Sequence, residues 1–262
     1  MGNFLSIFVV VLFTSVIFSG CKSNSSNSET TAISSTQIYF HQMKTLVVDV
    51  YYEPGAEPYE GKPTTNGNYY WNIFEDNLKA LFSGRTVVIS VPKELSSMNS
   101  ISAQNKTTWS ALDVVDLGNK FQKTSSDSSE IHFSIFFLKG NALGSDGQTN
   151  VNTIGFSVTG TRFIAMFKDV IKGTGSLLVP KYVEQSTLVH EMGHALGLVN
   201  NGLTLTSSHH DSSHGAHCTN TNCVMYYLNE GKSDAINFVN QIISSGSTLM
   251  FDEACLNDAK SF

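Results

Sequence analysis

Basic residues are few in this chain, and none of them cluster. Lys and Arg number 16 against 22 Asp and Glu, for a net charge of −6. A nucleic-acid partner needs a basic face, so that class of ligand is excluded. No internal repeat is found, which rules out a repeat array. Long apolar runs are also missing. The segment FLSIFVVVLFTSVIF, residues 4–18, is 15 residues long, short of the about 20 that a membrane-spanning helix needs. The whole chain is 41% hydrophobic and 15% charged, which suits one globular domain or two closely packed halves.

The short apolar run suits the core of a secretory signal. Phe18-Ser19-Gly20-Cys21 follows it and resembles a bacterial lipobox, with a small residue before a cysteine that would be cut and lipidated. Residues 1–20 are therefore read as a lipoprotein signal and Cys21 as the lipidation site. Residues 21–37 are nearly all small and polar and read as a flexible tether, too short for an inhibitory pro-domain. A domain over 38–262 would then face the periplasm or the cell exterior. Export makes a disulfide between Cys218 and Cys223 the expected state, leaving Cys255 as an odd thiol. The alternative is that Cys218, Cys223 and Cys255 help to hold a structural zinc, with no fourth ligand identified.

Periodicity places strands at 45–54, 85–92 and 130–140. Helices are expected at 68–84, 109–121, 181–197 and 233–245, with a strand pair or hairpin over 155–171. Early alternation of strand and helix permits a mixed, partly parallel sheet with helices packed on it. The fold class is α+β. The regular part spans 38–197 and an irregular part 198–262, with a cleft between them as the natural place for a site.

At their junction stands HEMGHALGLVNNG, residues 190–202. His190 and His194 are four apart on a helix, about 40° apart in azimuth, so both imidazoles can meet one metal. Glu191 can then act as general base on a metal-activated water. Asn200 stands where a third histidine would be expected, and a neutral amide is a poor zinc ligand. Downstream, His209, His210, Asp211, His214, His217 and Cys218 are all candidates, and spacing alone leaves them open. His41 and His132 fall in the sheet-forming half and are read as structural.

The stretch HEMGHALG resembles the first eight positions of the metzincin zinc-peptidase motif, HExxHxxGxxH, and CVMYY (223–227) resembles that clan's methionine turn. His217-Cys218-TNTN-Cys223-Val224-Met225 is similar to both the matrixin and the archaemetzincin spacing of third histidine and methionine. The resemblance implies His190, His194 and His217 as ligands of one catalytic zinc, with residues 198–216 as an insertion. It implies Glu191 as base and Met225 as the hydrophobic floor. Tyr227, with Tyr226 beside it, would take the position of a tyrosine that ligates zinc or steadies the transition state. The archaemetzincin second cysteine pair is absent, so that group's second zinc is not carried over. The implied fold is metzincin-like, a twisted mixed sheet with packed helices and an active-site helix. The implied activity is hydrolysis of protein or peptide substrates. The competing class is an envelope lipoprotein that keeps the zinc and has lost turnover.

Overall fold

The computed structural model describes residues 33–62 and 68–262. The signal, Cys21 and most of the tether lie outside the described residues. Where the description begins, Ser34 caps a helical turn, α1 (Ser35–Gln37), which runs into a π turn over Ile38–Gln42. Ser34 Oγ accepts from Gln37 N, and Gln37 Oε1 accepts from Ser34 N. This is a capping box, so the tether as read stops short of residue 37. Among the described residues no helix is long and apolar enough to cross a membrane.

Strand β1 (Thr45–Tyr52) is followed by α2 (Trp71–Leu81) and β2 (Val88–Ser90). Short strands β3 (Asn99–Ser100) and β4 (Thr108–Trp109) precede α3 (Ala111–Phe121) and β5 (Glu130–Leu138). Then come β6 (Asn141–Leu143), β7 (Thr149–Asn150), β8 (Gly155–Ser157) and β9 (Phe163–Phe167). The main sheet has the order β2-β1-β5-β9-β8, with β3 also on β1. All its pairings are parallel except β8 with β9. Parallel neighbours need crossovers: α2 lies between β1 and β2, α3 precedes β5, and β6 to β8 connect β5 with β9. A central parallel strand is covered on both faces and reads as a continuous apolar run. Strand β5 does so, with Phe133, Ile135, Phe136, Phe137 and Leu138 all buried. The smaller sheet is β4-β6-β7.

The chain then forms α4 (Lys168–Lys172), α5 (Val179–Leu196), α6 (Lys232–Ser245) and α7 (Glu253–Ser261). Helix α5 is buried on most sides and carries Glu184, Gln185, Ser186 and Thr187 inside. A buried charge needs a partner. Glu184 Oε2 meets Lys168 Nζ at 2.5 Å, and its Oε1 accepts from Tyr59 N. Burial pushes Glu184 up to about 7 and pulls Lys168 down, each against the attraction of the other. The architecture is a mixed, twisted α+β fold. Sequence periodicity missed α4, α7 and the small sheet.

Candidate metal centre

Helix α5 ends at Gly197, whose φ of +93° is a left-handed conformation open to glycine at little cost. Leu198 N closes the turn on Gly193 O. The next two residues, Val199 and Asn200, also have positive φ, 52° and 61°. The chain therefore turns sharply off the helix, and Asn200 comes out exposed. The residue at the expected third-ligand position faces solvent.

His217 is the histidine brought beside His190 and His194. Nε2 of His190, Nε2 of His194, Nε2 of His217 and a carboxylate oxygen of Glu230 lie within 4.8 Å of one another. Sequence reasoning missed Glu230, which sits in a 3-10 turn, Tyr227–Glu230, just after the methionine. No spacing rule fixes a carboxylate there; only the turn after Met225 brings it in.

Two of the three rings are aimed by their other nitrogen. His190 Nδ1 donates to Val224 O at 2.7 Å, and His217 Nδ1 to His214 O at 2.5 Å. Donation from Nδ1 fixes the tautomer that turns the Nε2 lone pair inward. His190 and His194 Nε2 stand 3.0 Å apart. His217 Nε2 is buried and has no hydrogen-bond partner, with Glu230 Oε1 3.0 Å away as an ion-pair neighbour. Convergent bare nitrogens of this kind fit a metal ion, and imidazole with carboxylate is a donor set that zinc accepts.

Beneath the rings lies Met225, fully buried, its Sδ pressed against the helix at Gly193. Glu191 is 2% exposed and its Oε2 accepts from Ser157 N of β8 at 2.7 Å. Burial raises the Glu191 carboxyl above the ordinary range, opposed by His190. Burial also drives His194 well below its usual value, helped by the two neighbouring histidines. For Glu230 burial acts upward, but His190 and His217 outweigh it and hold the carboxyl low. A cleft of about 500 Å³ opens here, lined among others by Thr36, Phe156, Ser157, Glu191, His194 and Glu230.

The remaining candidates are elsewhere. His210 Nε2 bonds Gly215 O, and the Asp211 carboxylate bonds His214 Nδ1 at 2.7 Å. His214 is exposed and stacks face to face on Tyr227, centroids 3.6 Å apart. Tyr226 packs against Tyr227 in turn. His209 and Cys218 belong to a second cluster. The expected Cys218–Cys223 disulfide is not formed: Cys218, Cys223 and Cys255 are free, and Cys223 Sγ lies 3.6 Å from Cys255 Sγ. Packing of α7 against the turn brings Cys255 in, a contact that proximity in sequence could not reveal. His132 bonds Asp49 and Glu130, and His41 stacks on Phe262, both away from the cluster.

Comparison with known proteins does not add a family. No family model, no curated protein and no solved structure matches this chain. The functional reading rests on the side chains themselves.

Proposed function

We propose that the chain is a zinc-dependent peptidase of metzincin type, with His190, His194 and His217 as the metal ligands and Glu191 as the general base. The observation that carries this reading is the convergence of three Nε2 atoms beside a buried, anchored carboxylate at the wall of a cleft. Zinc held by these residues would supply the Lewis acidity that amide hydrolysis requires. Ser157 N holds one oxygen of Glu191, fixing the carboxylate so that it can take a proton from the attacking water and return it to the departing amine. Met225, lying under the helix between the two histidines, also supports the metzincin assignment.

The substrate class follows from the neighbouring strand. β8 is the last strand of the sheet and the antiparallel one, and its Ser157 already touches the base. An extended peptide can pair with such an edge through its main chain, which would lay a scissile bond across Glu191. The reading includes an anchor to a bacterial envelope, supported by the apolar run at 4–18 and by Cys21.

Zinc-loaded protein and its Glu191→Gln variant, assayed against a broad peptide library, test the proposal. The parent should cleave, and the variant should keep its zinc while losing about 10²- to 10⁴-fold in rate. Cleavage by the variant at the parental rate would overturn the assignment of the base.

One observation favours a second reading, a zinc-binding module without turnover. Glu230 stands among the three imidazoles as a fourth protein donor, and sites closed by four protein ligands are structural rather than catalytic. Under that reading the parent cleaves nothing, and Glu230→Ala opens a position and creates activity.

A further inference from the structure

We propose that the chain holds a second, structural zinc ion, bound by His209, Cys218, Cys223 and Cys255. This site stands whether or not the first cluster hydrolyses anything. The three cysteines are fully buried and form no disulfide, and His209 is 5% exposed. His209, Cys218 and Cys255 each place a donor atom within 4.8 Å of the others. Cys223 joins them through its 3.6 Å approach to Cys255. Three thiolates and one imidazole are an established donor set for structural zinc.

The surroundings are those of a ligand shell. His209 Nε2 donates to Asp258 Oδ2 at 2.7 Å, and its Nδ1 faces Cys218 Sγ at 3.4 Å. Asp258 is completely buried, and its other oxygen accepts from the amide and hydroxyl of Thr206. A carboxylate behind a histidine in this way sets the tautomer and turns the free nitrogen to a metal. Main-chain amides support the sulfurs, Asn220 N at Cys218 and Asp252 N at Cys223.

Asp252 is close enough to compete as a ligand, but its oxygens are engaged. Oδ1 caps α7 by accepting from Cys255 N, and Oδ2 accepts from Asn220 Nδ2. Cys223 lies outside the group of four that His209, Cys218, Asp252 and Cys255 form, but it is 3.6 Å from Cys255. It is taken as the fourth ligand because zinc favours a thiolate over a carboxylate already holding Asn220 and the α7 cap. On binding, each of the three thiols gives a proton to solvent.

The site has structural work to do. Between Gly197 and α6 the main chain forms isolated bridges and one 3-10 turn in place of regular strands. A metal drawing this segment onto α7 stabilises what the ladder does not. It also reaches the first cluster, because Cys218 is the next residue after His217. One peptide unit sends a thiol to one cluster and an imidazole to the other.

The test is metal content of the full-length chain, with cobalt as the probe. The parent should carry about two zinc ions per chain. Cobalt exchange should give thiolate-to-cobalt charge-transfer bands, and these should persist in His190→Ala, where about one metal remains. Cys255→Ser should lose the bands. Asp252→Asn, judged folded by circular dichroism, should keep both metals, and loss of one would overturn the ligand set. Should Cys255→Ser fail to fold, the parent alone still decides. Cobalt-loaded parent without thiolate bands, or parent isolated with a Cys223–Cys255 disulfide by mass, would overturn the proposal.

Discussion

A β-carbon on Gly193 would lie 2.4 Å from Met225 Sδ. The glycine is thus what lets the thioether sit against the helix between His190 and His194. In an open helix position, Gly→Ala adds roughly 0.5–1 kcal/mol of stability. Here the sign reverses, because Met225 has no exposed surface and cannot swing away. Gly193→Ala should cost about 1–3 kcal/mol by chemical denaturation and weaken zinc binding. A double-mutant cycle with Met225→Ala should show that the two losses do not add. Additive losses would mean that the sulfur is not the obstacle.

The turn at Val199 and Asn200 predicts which histidine matters. Dialysis against graded chelator should strip zinc from His217→Ala far more easily than from the parent. The loss should exceed the roughly 100-fold that removing a supporting hydrogen bond costs. His210→Ala should match the parent, since its imidazole is bonded to Gly215 O away from the cluster. The reverse ranking would sink the assignment.

The Lys168–Glu184 pair makes a prediction about stability. Both side chains are buried, at 1% and 0% exposure. Lys168→Met strands a carboxylate in the core and should cost about 3–5 kcal/mol. Adding Glu184→Gln removes the charge and keeps an acceptor for Tyr59 N, so most of the loss should return. If the double variant is no better than the single one in urea melts, the pair is not acting as a charge pair.

Acid should weaken α3 through its cap. Burial acts to raise Asp113, but Lys106 and the Ser110 bonds outweigh it and hold the carboxyl below its usual 3.8. The folded value is the lower one, so the ionised group favours folding above pH 3.8. That contribution is lost as pH falls through the depressed value. Asp113→Asn should cost about 1 kcal/mol near neutrality and almost nothing in strong acid. An equal cost at both pH values would count against the ionised cap.

Sequence periodicity was a good guide wherever a segment has one buried stripe or two buried faces, as in α2, β5 and α5. It was a poor guide where few residues carry the pattern. Helix α7 has only Cys255, Leu256 and Ala259 to mark an apolar side, though Asp252 three residues before Cys255 is a readable cap. The start of the fold was hidden by composition: Ser34 and Gln37 form a capping box that was legible in SSTQ, inside a stretch that otherwise reads as polar linker. In the site, the histidines and Glu191 were legible because a helix fixes their spacing. Glu230 and the partners of His209 were not, since loops and the packing of α7 decide which side chains meet.

The first turn of the chain has a mechanical consequence. Thr36 is buried with its methyl over Gly197 and Gly202, and its hydroxyl reaches Gly202 O at 3.4 Å. Tension applied through the N-terminus therefore arrives at the rim of the cleft before it reaches Tyr39, Phe40 or the sheet. The contact that meets such a load there is one long hydrogen bond and a methyl group, and it lies against the residue that ends the histidine helix.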